Sequence, residues 1–210
     1  MSTAADPAAV APRARRAALS PADRALEGGV IGMTLFLFTE AMFFAGLISA
    51  HVVLRAGHSS WPPPGQPRLP AGLTLANTVV LLASGVAIWL AGSSFPERIG
   101  TAARRIAVAA VLGVVFLAVQ GIEWTRLVAF GLTTSSGVYG ATFYALVGSH
   151  AVHVLAALIV LVVASRKVAR AAREGRPGDA RIAVVLSRMF WLFVVGVWPV
   201  LYLVVYEPWR

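Results

Sequence analysis

The 210-residue sequence contains no cysteine, which excludes disulfide bonds, thiolate metal sites and cysteine nucleophiles. Acidic residues are also few: nine Asp and Glu stand against eighteen Lys and Arg, giving a formal net charge of +9. The sequence has no glycine-rich phosphate-binding loop and no pattern typical of a nucleophile with its base. What remains is a basic chain that is 58% hydrophobic, a composition typical of an integral membrane protein.

Five apolar segments occupy residues 29–55, 72–92, 104–130, 138–164 and 182–206. Each is near or above the roughly 18–20 residues that a helix needs to cross a hydrocarbon core of about 30 Å. We therefore predict an all-α integral membrane protein in which residues 29–210 form a single five-helix transmembrane bundle. Residues 1–28 are rich in Ala and Pro and contain no apolar run of signal-peptide length, so we expect a disordered cytoplasmic tail there.

The positive charge is unevenly distributed over the predicted loops. Thirteen of the eighteen Lys and Arg residues lie within 13–24, 98–105 and 166–181, on the N-terminal side of the predicted bundle. Four lie on the opposite side. The positive-inside rule then predicts a cytoplasmic N-terminus and an external C-terminus. Because topology accounts for the charge, we expect no nucleic-acid partner.

The first predicted span carries one carboxylate, Glu40, at membrane depth. Glu40, Phe44, Leu47 and His51 follow the i, i+4, i+7, i+11 spacing that places them on one stripe of a helix. A charge at this depth is costly, so the stripe is expected to face protein. The other polar residues within the spans are Asn77, Gln120, Glu123, Arg126, His150, His153 and Arg188.

Two glutamates and a His-x-x-His pair raise the hypothesis of a two-metal site in a helix bundle. The predicted depths argue against it, because Glu40 and Glu123 differ by roughly 12 Å along the membrane normal. Interhelical hydrogen bonding is the favoured interpretation. Glu123 can pair with Arg126 on its own helix, and His150 on the adjacent antiparallel helix is a second candidate partner.

Five motifs extend the interpretation beyond composition. They are GMTLFLFTEAMFFAG at 32–46, WPPPG at 61–65, LANTVVLLASG at 75–85, QGIEW at 120–124 and SSGVYGATFYALVGSHAVHV at 135–154. In order and spacing the sequence resembles subunit III of the haem–copper oxidases, of the cytochrome c oxidase type and in its bacterial five-helix form. The last motif is the most specific.

The resemblance implies a non-catalytic subunit of a terminal oxidase, which stabilises the catalytic subunit, binds lipid and supports proton uptake in aerobic respiration. Glu40 matches the family's carbodiimide-reactive glutamate, and Glu123, His150 and His153 match its other intramembrane polar positions. None of these binds a metal in the family, so haem and copper are expected only in partner subunits. The implied partners are oxidase subunits I and II and a small subunit IV, in the inner (cytoplasmic) membrane of a bacterial cell.

The resemblance also places phospholipid beside the first helix of the bundle. His51, Arg55 and His58 lie near the outer end of the first span, where a lipid phosphate would be, so they are the predicted lipid-binding residues. Leu192 and Val195 depart from the family's usual histidine and aspartate, and the two N-terminal helices of its seven-helix form are absent.

Other functions stay open at this stage. One is an accessory subunit of the same family attached to a quinol oxidase or a nitric oxide reductase. A transporter is the weaker alternative, because internal repeats and paired broken helices are not evident in the sequence.

Overall fold

The computed structural model describes residues 20–67 and 69–206, which form five helices. These are α1 (Pro21–Ala56), α2 (Ala71–Ser93), α3 (Ile99–Ala129), α4 (Val138–Glu174) and α5 (Arg181–Val205), with a 3₁₀ turn (Pro177–Ala180) before α5. No strand occurs in these residues, and all five helices are long and apolar enough to cross a membrane. The predicted all-α, five-helix class is confirmed.

Helix α1 begins earlier than the sequence suggested. Ser20 is its N-cap, and the Ser20 hydroxyl accepts a 3.2 Å hydrogen bond from the Asp23 amide, with Pro21 at the first helical position. Residues 21–28, expected to be part of a disordered tail, are therefore helical. The rest of that predicted tail, residues 1–19, lies outside the described residues.

Helix α4 continues ten residues beyond the expected end at Ala164. Its last turn is exposed and carries an i, i+4 pair in which Arg170 Nε lies 2.7 Å from Glu174 Oε1. Gly175 then ends the helix with φ +67°, a left-handed conformation that glycine adopts readily. A search for apolar runs does not detect a charged helical extension of this kind.

Helices α2, α3, α4 and α5 form a closed ring in which each packs against the next and α5 returns to α2. Helix α1 lies outside this ring, against α4 and α5. We call the end of the molecule with loops 94–98 and 175–180 the basic end, and the end with loops 57–70 and 130–137 the opposite end. Only Phe44 and His51 of α1 are buried, so the other described helices leave most of this helix uncovered.

Two tryptophans of α5 fill the centre of the ring. Trp191 Nε1 donates to Ser84 Oγ (3.1 Å), and Trp198 Nε1 donates to Thr78 Oγ1 (2.8 Å), both on α2. A buried indole needs such a partner for its N–H. Gly113 of α3 makes room for the Trp191 ring, because a Cβ there would overlap it. The ring is thus fixed by large aromatic groups with satisfied polar atoms.

Candidate functional site

The intramembrane carboxylate of α1 contacts a histidine of α4. Glu40 Oε2 lies 2.8 Å from His153 Nε2, and His153 Nδ1 lies 2.7 Å from the carbonyl oxygen of Ser149, one turn earlier on α4. A carbonyl oxygen only accepts hydrogen bonds, so Nδ1 carries a proton. The contact between Nε2 and Oε2 therefore holds one further proton. Either a protonated Glu40 donates to Nε2, or an imidazolium donates to the Glu40 carboxylate.

This pair lies at the edge of the molecule, between α1 and the ring. The side chains of His153 and Glu40 are 17% and 20% exposed. Phe44 approaches the His153 ring edge-on at 5.0 Å, and Phe43 stacks on it at 6.0 Å. The predicted stripe of α1 does face protein, but Glu40 meets the outside of the ring instead of its centre. A proton shared by Glu40 and His153 therefore lies close to any neighbouring molecule that contacts α1.

Glu123 occupies a different environment, in the ring near the opposite end. It is 1% exposed, and its two oxygens accept hydrogen bonds from Tyr206 Oη (2.7 Å) and Thr74 Oγ1 (2.9 Å). Gln120 Nε2 donates to the same Tyr206 oxygen at 3.2 Å. The carboxyl group therefore links α3 to the start of α2 and the end of α5. Thr74 and Tyr206 were not among the predicted site residues.

Among the described residues, neither of the two candidate partners of Glu123 contacts its carboxyl group. Arg126 is exposed while Glu123 is buried, so the two side chains point away from each other although they are three residues apart. His150 is 1% exposed, stacks on Trp198 at 5.0 Å, and makes no hydrogen bond through either ring nitrogen. The hydroxyls of Thr74 and Tyr206 satisfy the carboxylate instead.

Two of the three predicted lipid-binding residues, His51 and His58, lie against Trp61 at the opposite end. The rings of His51 and His58 meet Trp61 edge-on at 5.5 Å and 5.8 Å, and Tyr139 of α4 does so at 5.1 Å. His51 is only 2% exposed beneath this loop, so its ring is not at the lipid-facing surface. Arg55 is half-buried, and His58 is exposed with Nδ1 at 2.8 Å from the Leu54 carbonyl oxygen.

In the part of the chain that the structure describes, no three His, Asp or Glu side chains come close enough together to hold a metal ion. Glu40 and His153 form a pair, and Glu123 is surrounded by hydroxyl and amide groups. The Glu40–His153 pair can hold and exchange a proton, and the hydrogen bonds of Glu123 join helices. The haem and copper expected in partner subunits stay a prediction.

The model of the cytochrome c oxidase subunit III family matches residues 21–209, nearly the whole chain. The chain belongs to this family. It is 34% identical over 181 residues to cytochrome c oxidase subunit 3 of Corynebacterium diphtheriae, covering 84% of this chain and 86% of that protein. It is also similar to the probable subunit 3 of Nocardia farcinica (35% identity, covering 84% of this chain and 86% of that protein) and to subunit 3 of the lamprey Petromyzon marinus (32% identity, covering 86% and 69%).

The family assignment has direct consequences. This is an oxidase subunit III, a multi-pass membrane protein that associates with other oxidase subunits. Subunit III membership thus confirms the resemblance on which the sequence analysis relied. The alternative assignment to a transporter has no support in the comparisons.

Proposed function

We propose that this chain is the non-catalytic subunit III of a terminal haem–copper oxidase that receives electrons from cytochrome c in aerobic respiration. It stabilises the catalytic subunit and supports proton uptake by it. The contact between Glu40 and His153 is the observation that carries the proposed role in proton uptake. The pair holds one exchangeable proton at membrane depth, on the outer side of the ring and within reach of a neighbouring subunit.

The surface of α1 supports a role in assembly. Leu35, Phe38 and Met42 share one face of the helix and are 63%, 66% and 62% exposed. The opposite face carries Glu40 and Phe44 and contacts the ring. A helix that is covered on one face only has a second face available for lipid or for another subunit.

We propose that the chain itself binds neither haem nor copper, and that these reside in subunits I and II. The side-chain environments support this. His150 is enclosed by aromatic rings, His51 lies beneath Trp61, and His153 uses both nitrogens within the protein. A redox metal needs several convergent donors, which these separated histidines do not supply.

Phospholipid is proposed to bind beside α1 at the opposite end. Arg55 and His58 are the candidate phosphate contacts, and the buried His51 is left out of the set. The proposed orientation has the N-terminus in the cytoplasm of a bacterial cell, so that the basic end faces inward. Subunits I, II and a small subunit IV are the proposed partners.

The proton-uptake proposal is tested with Glu40→Gln in the purified oxidase complex. Glutamine keeps the side-chain shape but cannot exchange a proton with His153. We expect an unchanged haem spectrum and subunit content, slower proton uptake and faster loss of activity during turnover. Glu27→Gln, at an exposed position on the same helix, is the matched control. Normal proton uptake and turnover stability in Glu40→Gln would remove the proposed role.

The assignment to a cytochrome c oxidase is tested on the complex that co-purifies with the chain in mild detergent. We expect haem and copper in the complex, oxygen consumption with reduced cytochrome c, and a colourless chain once the other subunits are removed. Activity with quinol alone, or nitric oxide reduction without oxygen consumption, would favour one of the two alternative complexes. Stoichiometric haem on the isolated chain would contradict a non-catalytic subunit III.

A further inference from the structure

A cavity of about 800 Å³ opens at the basic end, between the end of α2 and the start of α5. Its apolar lining includes Phe95, Pro96 and Met189, and its charged lining consists of two arginines of α5, Arg181 and Arg188. No Asp, Glu or Lys of the described chain lines it. The residues assigned above to proton exchange and to lipid binding lie elsewhere.

The two arginines of the lining differ in their partners. Arg181 Nη1 lies 3.1 Å from Asp23 Oδ1. Arg188 lies seven residues further along α5, which is roughly 10 Å deeper, and its half-buried side chain packs on Gly92 of α2, where any Cβ would overlap the guanidinium. Within the described part of the chain, Arg188 forms neither an ion pair nor a hydrogen bond. A cation at this depth is costly without a partner, so Arg188 needs an anion.

The described carboxylates near the cavity do not supply this anion. Asp23 is engaged by Arg181. Glu174 and Asp179, close to the start of α5 in the sequence, contact a different arginine. Glu97 belongs to the loop beside the cavity, but it is exposed and is not part of the lining. The negative charge that balances the cavity therefore comes from a second molecule.

The composition of the lining indicates that this second molecule is a protein. The cores of protein–protein interfaces are enriched in aromatic residues, Met and Arg and are depleted of Lys, Glu and Asp, and the lining with Phe95, Met189 and Arg188 follows that pattern. A volume of about 800 Å³ takes several side chains, whereas an inorganic anion would leave the apolar walls in contact with water. The chain associates with other oxidase subunits, so a partner polypeptide is present in the complex.

We propose that this cavity docks an acidic segment of a neighbouring oxidase subunit, with one Asp or Glu carboxylate on Arg188 and apolar side chains against Phe95 and Met189. Because Asp23 already neutralises Arg181, a single carboxylate balances the charge of the cavity. The planar guanidinium presents paired donors that match a carboxylate, so this contact also fixes the orientation of the segment. The inference rests on the proposed place of the chain in an oxidase complex and adds the residue through which it is held there.

The ion pair is tested by measuring how fast this chain is released from the oxidase complex, purified in mild detergent and then diluted. Arg188→Gln leaves the partner carboxylate without its cation, so we expect release to be about tenfold faster or more, and Arg188→Glu should be faster still. Arg173→Gln, at an exposed arginine of α4 at the same end, is the matched control and should be released as wild type is. Unchanged release of both Arg188 variants would overturn the inference. A wild-type chain that purifies without other oxidase subunits would instead contradict the proposed function.

The occupant is identified with Arg188 in place. A photo-reactive benzophenone side chain at position 189, in the lining, should cross-link to an oxidase-subunit peptide that contains Asp or Glu. Replacing that acidic residue by Lys should speed release of the wild-type chain, and combining it with Arg188→Glu should restore slow release, because the pair is then reversed in sign. Cross-links to phospholipid alone, or to a peptide without a carboxylate, would overturn the inference. So would Glu97→Gln if it released the chain as fast as Arg188→Gln does, because the pairing carboxylate would then be the chain's own.

Discussion

Glu40 and Glu123 are both glutamates within membrane spans, yet they differ in exposure and in hydrogen-bonding partners. Glu40 is 20% exposed and has one titratable partner on the outer side of the ring. Glu123 is 1% exposed and accepts hydrogen bonds from two hydroxyls that cannot take up its proton at ordinary pH. The first environment suits proton exchange and the second suits structure. Residue type and depth alone do not separate these roles, but the partner and its accessibility do.

The largest difference between the two glutamates is expected in their contributions to the stability of the folded chain. Glu123→Leu leaves the buried Tyr206 hydroxyl without its acceptor and leaves the Thr74 hydroxyl with only the Pro70 carbonyl oxygen, which should cost about 2 kcal/mol of unfolding free energy. Glu40→Leu removes a contact at a partly exposed edge and should cost less than half as much. Thermal release of this subunit from the oxidase complex measures both. An equal or larger loss in Glu40→Leu would erase the distinction.

Chemical reactivity should separate the same two residues. A hydrophobic carbodiimide reacts with protonated carboxyl groups that it can reach, so we expect modification of Glu40 and little of Glu123. Peptide mass spectrometry of the labelled complex measures the ratio, with Glu40→Gln as the control for specificity. Labelling of Glu123 first, or of neither residue, would contradict the assignment of Glu40 as the accessible member.

The sequence predicted the membrane spans and their carboxylates better than it predicted which residues these carboxylates contact. Apolar run length gave five spans, and the helical spacing of Glu40, Phe44 and His51 correctly placed one stripe of α1 against protein. The contacts of Glu123 were wrong because depth along the membrane says nothing about the rotation of one helix against another. Tyr206 lies near the end of the last span and was not among the predicted site residues. Only the structure, in which Tyr206 at the end of α5 reaches Glu123 of α3, shows that it bonds to a carboxylate.

The surroundings of Arg188 show the same limit of prediction from sequence. Arg188 was recognised as a polar residue within a span, but its neighbours belong to another helix and to two loops. The open surface at Gly196, where a Cβ would meet no atom within 4 Å, has no signal in the sequence. Sequence therefore identifies unusual residues at membrane depth, and the arrangement of the helices decides what each of them meets.

The smallest expected effect concerns the two histidines of α4 and sharpens the comparison further. His150 makes no hydrogen bond within the described residues and stacks on Trp198, so it acts as a flat aromatic group in the ring. His150→Phe conserves that shape and should change unfolding free energy by less than about 1 kcal/mol.

His153→Phe has the same change in size, but it removes the only hydrogen-bonding partner of the Glu40 carboxyl group in the described chain. It should therefore slow proton uptake as Glu40→Gln does, while His150→Phe leaves uptake unchanged. Both variants are measured in the intact oxidase complex, with subunit content and haem spectrum as checks on assembly. If His150→Phe slows uptake as much as His153→Phe, the proton path runs through the ring, and the contrast between its edge and its interior is lost.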